Sequence, residues 1–345
     1  MLKVSIAGAT GYTGLELIRL LLRHPAVTIA QVTADAHRGK SLAEVCPSLA
    51  GLIDRELVAL GPEVAAACDV LFLALPHGAG MARMPEFLGQ GCRVIDLSAD
   101  FRLRDSGTFE AWYHQPHASP ACLEQAVYGL PELHRKAIAG ARLVANPGCY
   151  PTSVILAAAP LIQTGWIDLD SLIADSKSGV SGAGRKANAA TRFCETHEGV
   201  KAYGLTTHRH TPEIEQELGG LAGRELRLSF SPHLIPMTRG ILTTLYARLT
   251  REVPLEDLHA RYREFYAQEP FVRILPPGSF ADTHQVARSN FCDIGLAVDT
   301  RTRRVIVTSA LDNLIKGASG QAVQNLNLML GLDETTGLEQ APVFP

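Results

Sequence analysis

Three evenly spaced glycines, Gly8, Gly11 and Gly14 in GATGYTG, stand directly after an apolar run, Leu2 to Ala7 (LKVSIA), and directly before a stretch in which Leu15, Ile18 and Leu22 recur at helical spacing. Val27 to Thr33 then supplies a second β-rich run. Strand, glycine turn, helix and strand thus fit within about 30 residues, the compass of one βαβ unit. At such a junction the missing side chains let backbone amides approach a pyrophosphate at the start of a helix, where the dipole favours an anion. A glycine-containing turn without a ligand is the bland alternative, and the completeness of the unit favours a dinucleotide.

The alternation continues with an apolar run Val70 to Leu75, a helix-compatible stretch Ala79 to Leu88, and strands Arg93 to Leu97 and Arg142 to Ala145. That order predicts a parallel sheet covered by helices on both faces, a Rossmann-type α/β domain. Further on, the candidates lie farther apart, at Leu172 to Ser176, Leu226 to Ser231, Gly240 to Leu249 and Val305 to Ala310, as in the antiparallel or mixed sheet of an α+β domain. A last helix over Gly317 to Leu330 is expected to dock back on the first domain, and the tail after Gly331 to be loosely held. The expected division is 1–148 with 313–345 for the dinucleotide domain and 149–312 for a catalytic and oligomerisation domain.

With 345 residues, 46% of them hydrophobic, the chain has material for two cores. Its 32 Lys and Arg are scattered among 35 Asp and Glu, for a formal net charge of -3, and form no long basic run. Nucleic-acid binding rests on phosphate neutralisation, so a small molecule is the expected partner. No basic and apolar leader precedes the first strand and no apolar run reaches the roughly 20 residues of a spanning helix, so neither a membrane nor export is expected and the cytoplasm follows. Seven cysteines without close CxxC pairs suggest neither a disulfide framework nor a structural metal.

Thr10, Tyr12 and Thr13 complete the glycine turn, and the second strand runs into TADAHRGK. An acid there suits the ribose hydroxyls of NAD, whereas cations suit the 2'-phosphate of NADP. Asp35 therefore argues for NAD, and Arg38 with Lys40 for NADP. NADP is the expectation, with Asp35 turned away or paired. Pro76 and His77, in LPHG, fall at a strand's carboxyl end, where such sheets bind ligands, although a plain turn uses the same residues.

Cys149, in ANPGCYPTS, follows the strand Arg142 to Ala145 and precedes a helical stretch expected to begin near Thr152. A thiol near a helix N-terminus has its thiolate stabilised, which makes Cys149 a candidate nucleophile, while the other six keep the reading of small apolar fillers. A nucleophile needs an acid-base partner, and THRHTPE offers His208, His210 and Glu213. Thr211 suits an N-cap and Pro212 a first helical position, placing His210 just before a helix with Glu213 able to orient it. Two histidines without a third ligand nearby make a metal the weaker reading, and an exposed pair of no consequence is the alternative.

Taken together, GATGYTG, ANPGCYPT, SKSGVSGAGR and HRHTPEIEQ resemble the N-acetyl-gamma-glutamyl-phosphate reductase family, type 1 form, over essentially the whole chain. The family is related to aspartate-semialdehyde dehydrogenase. The resemblance implies a glyceraldehyde-3-phosphate-dehydrogenase-like pair of domains, a final helix returning to the first, and a homodimer or homotetramer. It implies NADPH-dependent reduction of an acyl phosphate through a thioester, as part of arginine biosynthesis. Cys149 falls on the family nucleophile, and the acid-base histidine falls within HRHTPE, where His210 ranks above His208, which is left to touch substrate. Ser181 and Gly182 lie in the segment that looks like the family's glycine-rich loop beside the nicotinamide and the leaving phosphate. Its exposed amides and serines, with Lys177 or Arg185, suit an anion, and a flexible loop is the alternative. Asn313 falls where the returning segment meets the nicotinamide, and it also suits a helix cap. Arg102 and Arg239 are the planar donors expected for carboxylate and acyl phosphate. Asp35 departs from the Ser- and Arg-containing segment common in the family.

The same chemistry serves aspartate-semialdehyde dehydrogenase and a carrier-linked aminoadipyl-phosphate reductase, which a substrate panel separates. A Rossmann-fold nucleotide sensor, the non-enzymatic alternative, leaves Cys149 and HRHTPE unexplained.

Overall fold

A computed structural model describes residues 1–186 and 189–344. They divide into two compact units, one of residues 1–147 and 318–339 and the other of residues 148–317 with those after 339. Among the described residues no helix is long and apolar enough to cross a membrane.

The first unit is built on β1 (Leu2–Ala7), β2 (Val27–Thr33), β3 (Leu57–Val58), β4 (Val70–Leu73), β5 (Arg93–Asp96), β6 (Val127–Tyr128) and β7 (Leu143–Ala145). They lie in the order β3-β2-β1-β4-β5-β7-β6, every pairing parallel. β1 pairs with β2 on one side and β4 on the other, so the direction of winding reverses between β1 and β4, and the crevice at their carboxyl ends is where such sheets take a ligand. The glycine turn follows β1 there and LPHG follows β4. Helix Tyr12–Leu21 buries Leu17, Ile18, Leu20 and Leu21.

The Ala79 to Leu88 expectation shrinks to a tight turn Met81–Arg83 and a short helix Met84–Gly89, because Pro85 has no amide to donate and can only sit at a helix start. The final helix is Gly320–Met329, preceded by a wider turn over Ile315–Ser319. Two of its buried amides tie it to the rest of the unit: Asn327 Oδ1 meets His24 Nε2, and Asn325 Nδ2 donates to the Gly129 carbonyl. The tail after Gly331 is held down, contrary to expectation. Glu334 pairs with Arg135 at 2.8 Å, Leu338 is buried, and Val343 N donates to the Ala287 carbonyl.

The second unit has β8 (Ile167–Ser178), β9 (Lys201–Ala202), β10 (Ser229–Leu234), β11 (Ile241–Leu249), β12 (Val272–Ile274), β13 (Cys292–Asp299) and β14 (Arg304–Leu311), in the order β12-β13-β14-β11-β8-β10-β9. It is mixed: β8 runs parallel to β10 and antiparallel to β11, which is antiparallel to β14. β10 starts later than expected and contains Pro232, tolerated because only the two-residue β9 flanks that side.

One face of this sheet carries helix Cys149–Ile162, buried from Tyr150 to its end. A helix apolar all round is a core element. Its register is pinned by hydroxyls: Ser153 Oγ meets Thr243 Oγ1 at 2.9 Å and Ser309 Oγ at 2.5 Å, and Ser176 Oγ meets Thr243 Oγ1 at 2.8 Å. Pro160 lies inside the helix and cannot donate to the carbonyl of Leu156. The hydroxyl of Tyr266, just past helix Leu255–Phe265, donates there instead at 2.6 Å, and Tyr262 donates to the Ala157 carbonyl.

Tyr266→Phe is therefore expected to lower stability by about 1–3 kcal/mol, the cost of a buried acceptor left unsatisfied. In a Pro160→Ala background, which restores the helical donor, thermal unfolding should show most of that loss gone.

Candidate active site

Cys149 is the first residue of its helix, three residues earlier than the sequence suggests, with Gly148 at the N-cap in an extended conformation. Pro151 reads as a turn signal, but in a first helical turn its missing amide has no partner to lose. No side chain caps this end and its first turn holds no acid. The dipole of this helix start therefore bears on the Cys149 sulfur, the setting that favours a thiolate. Cys149 is partly exposed.

Two segments hold this helix start. Glu213, buried in the first turn of helix Thr211–Ala222, accepts from Gly148 N at 2.7 Å. The His210 ring packs on Gly148, where a Cβ would stand 2.5 Å from Nε2, and Gly317 packs on Cys149, where a Cβ would stand 2.8 Å from that of the cysteine. His210, rather than Thr211, occupies the N-cap position of its helix. The structure thus brings Cys149, His210 and Glu213 together, with Glu213 bonded to the backbone beside the cysteine.

His208 stands in an aromatic nest, edge-on to Tyr150, Tyr203 and Phe230 at 5.4–5.6 Å between centroids and 4.8 Å from His210. Its Nδ1 accepts from His210 N at 3.2 Å. Burial, and then the charge of Arg209, push its pKa down to about 4. It is a neutral ring near pH 7, fixed in the tautomer that leaves Nδ1 an acceptor. The Tyr203 hydroxyl donates to that of Tyr150 at 3.2 Å, which donates to the His233 carbonyl. Burial pushes Tyr203 up to about 12 and Tyr150 further still, and Cys149 adds to both shifts. Tyr150, Tyr203, Phe230 and Gly317 were not singled out in the sequence. Only adjacency to Cys149 marks Tyr150.

In the glycine-rich segment five backbone amides are already engaged with carbonyls. Gly179, Val180 and Ser181 donate to the carbonyls of Gly240, Met237 and Thr238, and Gly182 and Gly184 donate within the segment. Ser181 Oγ accepts from Asn313 Nδ2 at 3.0 Å while Asn313 Oδ1 accepts from Gly240 N, so Asn313 ties this segment to the Gly240 loop instead of capping a helix. Gly182 packs near Ser178 and Asn313.

Lys177 alternates with Ser176 and Ser178, whose hydroxyls lie buried on the helix side, and it pairs with Asp175 at 2.9 Å on the opposite face of the sheet. The structure does not bring it to Cys149. Arg185 is exposed. Arg239 bonds the wholly buried Asp312, whose carboxylate also takes the amides of Arg288, Leu314 and Ile315.

In the first unit, Gly8 has φ +81° and a Cβ there would lie 2.2 Å from the Ala74 carbonyl oxygen, while one on Gly14 would lie 2.3 Å from that of Gly8. Gly11 caps helix Tyr12–Leu21 without a side chain, and that first turn holds no acid. Thr13 is tied by its carbonyl to Ser319 Oγ, and Thr10 and Tyr12 flank the turn, Tyr12 exposed. Arg38 and Lys40 are exposed beyond the end of β2, whereas Asp35 accepts from Leu60 N at 3.3 Å. Pro76 and His77 are exposed after β4, with His77 Nδ1 accepting from Ala99 N. Arg102, expected to meet an anion, is buried and donates to the carbonyls of Asn146 and Leu97. Among the described residues no group of three or more His, Cys, Asp or Glu could hold a metal ion.

Residues 3–141 match the family model for the semialdehyde dehydrogenase NAD binding domain and residues 149–313 that for the semialdehyde dehydrogenase dimerisation domain. Over 346 aligned positions the chain is 56% identical to N-acetyl-gamma-glutamyl-phosphate reductase of Symbiobacterium thermophilum, covering 100% of this chain and 99% of that one. The namesake from Desulforamulus reducens is 55% identical, with 100% of each covered. The chain belongs to the N-acetyl-gamma-glutamyl-phosphate reductase branch of the semialdehyde dehydrogenase family. Solved structures share the fold at low identity. Aspartate semialdehyde dehydrogenase II of Vibrio cholerae complexed with ASA superposes with a TM-score of 0.73 at 14% identity, over 96% of this chain and 98% of that one. Aspartate semialdehyde dehydrogenase with NADP from Candida albicans gives 0.72 at 17%, over the same shares, 96% and 98%.

The His208 reading has a pH signature. Its folded pKa, about 4, lies below that of a free imidazole, about 6.5, so the unfolded chain takes up the proton first. Its contribution to stability is full above pH 6.5 and is lost as pH falls toward 4. In His208→Asn, whose amide oxygen keeps the acceptor for His210 N, the thermal midpoint should fall less steeply across that window than in the wild type.

Proposed function

We propose that this chain reduces N-acetyl-L-glutamyl 5-phosphate to N-acetyl-L-glutamate 5-semialdehyde with release of phosphate, a step of arginine biosynthesis, through a thioester on Cys149. The observation that carries the reading is the 56% identity over the full chain to a reductase named for that substrate. In this reading the Cys149 thiolate attacks the acyl carbon and phosphate leaves. A bound nicotinamide cofactor supplies the hydride that reduces the thioester. His210 gives a proton to the alkoxide formed on hydride addition and takes it back as the thiohemiacetal on Cys149 collapses to the aldehyde and the Cys149 thiolate. His208 is unsuited to that transfer, since its pKa of about 4 makes it a weak base and its Nδ1 is already engaged. Glu213 holds the helix start at Gly148, so it acts as a positioning residue for Cys149.

NADP is the cofactor in this proposal. The exposed Arg38 and Lys40 suit a 2'-phosphate, and Asp35, the residue that argued for NAD, has its carboxylate engaged by Leu60 N. The glycine turn holds the pyrophosphate, with Pro76 and His77 beside the cofactor. Arg239 is the remaining arginine for the substrate carboxylate, its side chain 19% exposed and oriented by Asp312. In this proposal the protein works in the cytoplasm, as a homodimer or homotetramer; the dimerisation-domain match over residues 149–313 supports the oligomer.

Phosphate-dependent reduction of NADP and of NAD by N-acetyl-glutamate semialdehyde, with aspartate semialdehyde as rival substrate, tests substrate and cofactor together. The N-acetyl substrate with NADP should be preferred, and a faster reaction with aspartate semialdehyde would overturn the assignment. His210→Asn should cost about 10²–10⁴-fold in turnover and remove a limb of the pH-rate profile. His208→Asn should leave that limb in place.

A further inference from the structure

Just past β5, buried polar side chains surround one turn, Ser98 to Asp100. Ser98 N and Oγ donate to the two oxygens of Asp96 at 3.0 and 2.7 Å, and Ser98 Oγ accepts from Asp100 N at 3.1 Å. Arg102 donates to the carbonyl of Leu97, before the turn, and to that of Asn146, past β7. His117 Nδ1 accepts from Ser119 N, so its Nε2 donates to the Asp100 carbonyl at 2.7 Å. From this braced turn two contacts reach the exposed loop after β4. Both carboxylate oxygens of the buried Asp100 accept from Gly78 N, at 2.8 and 3.0 Å, and Ala99 N donates to His77 Nδ1 at 3.0 Å. Gly78 has φ +79°, a conformation that glycine adopts without steric cost. LPHG, exposed from Pro76 to Gly78, is thus fastened at two successive residues to a buried anchor.

We infer that Asp100 is a positioning residue for the cofactor: through the Gly78 amide it holds LPHG in its nucleotide-binding shape before the nucleotide arrives. The inference rests on the reading that Pro76 and His77 lie beside the cofactor. An untied loop gives up backbone freedom when it closes on a ligand, and that cost is subtracted from affinity. A tie from an amide to a carboxylate is stronger than one to a neutral carbonyl, and burial of Asp100 keeps water from competing for it. Charge follows the same tie. Burial pushes the Asp100 pKa up, and the Gly78 bond leads the influences that pull it back, ahead of Ser98, His117 and Arg102. The Ala99 amide sets the ring of His77 as well, since an imidazole accepting at Nδ1 carries its hydrogen on Nε2 and so offers a donor to a nucleotide oxygen. Arg102, whose chemistry suggested an anion, acts in this account by bracing the turn.

Calorimetric titration of NADP into the full chain reads the inference without turnover. Asp100→Ala should weaken binding about tenfold or more, and Asp100→Asn, which keeps one acceptor oxygen for Gly78 N, should recover part of the loss. In the phosphate-dependent assay Asp100→Ala should raise KM for NADP far more than it lowers kcat. His77→Ala should itself weaken binding. Because the two residues act through one loop, adding Asp100→Ala to it should cost less than the product of the two single effects. In the unsubstituted, cofactor-free chain the Gly78 amide should already be slow to exchange its hydrogen, a measurement that needs no variant to fold. Wild-type NADP affinity in Asp100→Ala beside weakened binding in His77→Ala would overturn the clamp alone. So would a double variant that shows the full product, or a Gly78 amide protected only after NADP is added. Wild-type affinity in His77→Ala is a different failure: it would remove the cofactor from LPHG, and this inference with it.

Discussion

Everything chemical in the second unit hangs on the register of one buried helix, Cys149–Ile162. It has no solvent face to orient it. Apolar packing alone tolerates small slips and rotations, because dispersion is not directional. Hydroxyl contacts are directional, and the set joining Ser153 to Thr243, Ser176 and Ser309 fixes the helix against three strands at once. Glu213 fixes its first amide donor at Gly148. The cysteine that begins this helix is therefore held from its own element and from the histidine-bearing one.

The two histidines of HRHTPE are divided by environment. His208 is enclosed by aromatic rings and by the cost of burying charge, and its Nδ1 takes an amide, so it serves as scaffold. His210 lies against Gly148, and the proposed reaction gives it the proton exchange at Cys149. Tyr150 and Tyr203 remain protonated, which keeps the surroundings of the thiol free of phenolate charge.

The parts of this arrangement that were legible in the sequence are those encoded by local spacing. GATGYTG declared a strand-to-helix junction by its spacing: the steric demand at Gly14 is met within the motif, by Gly8, while that at Gly8 comes from Ala74, just past β4. The central strands were legible from apolar runs. Prolines misled where position decides their meaning: Pro151 concealed the helix start at Cys149, Pro85 shortened an expected helix and Pro232 sat inside a strand. Long-range pairing was not legible at all. The amides of Gly179 to Ser181 looked available to an anion until the 237–240 segment took them, and Lys177 looked close to the site until strand alternation turned it to the other face. Arg102 is a similar case, an arginine with anion-binding chemistry whose donors meet backbone carbonyls.

The central claim is that the acyl group passes through Cys149, and phosphate omission tests it most directly. Enzyme mixed with N-acetyl-glutamate semialdehyde and NADP, but no phosphate, should release a burst of NADPH stoichiometric with enzyme and then stall. Acid quench and mass spectrometry should find the N-acetyl-glutamyl group on the Cys149 peptide, and added phosphate should release it and restart turnover. Phosphate-dependent turnover with no burst and an unmodified Cys149 peptide would contradict the account.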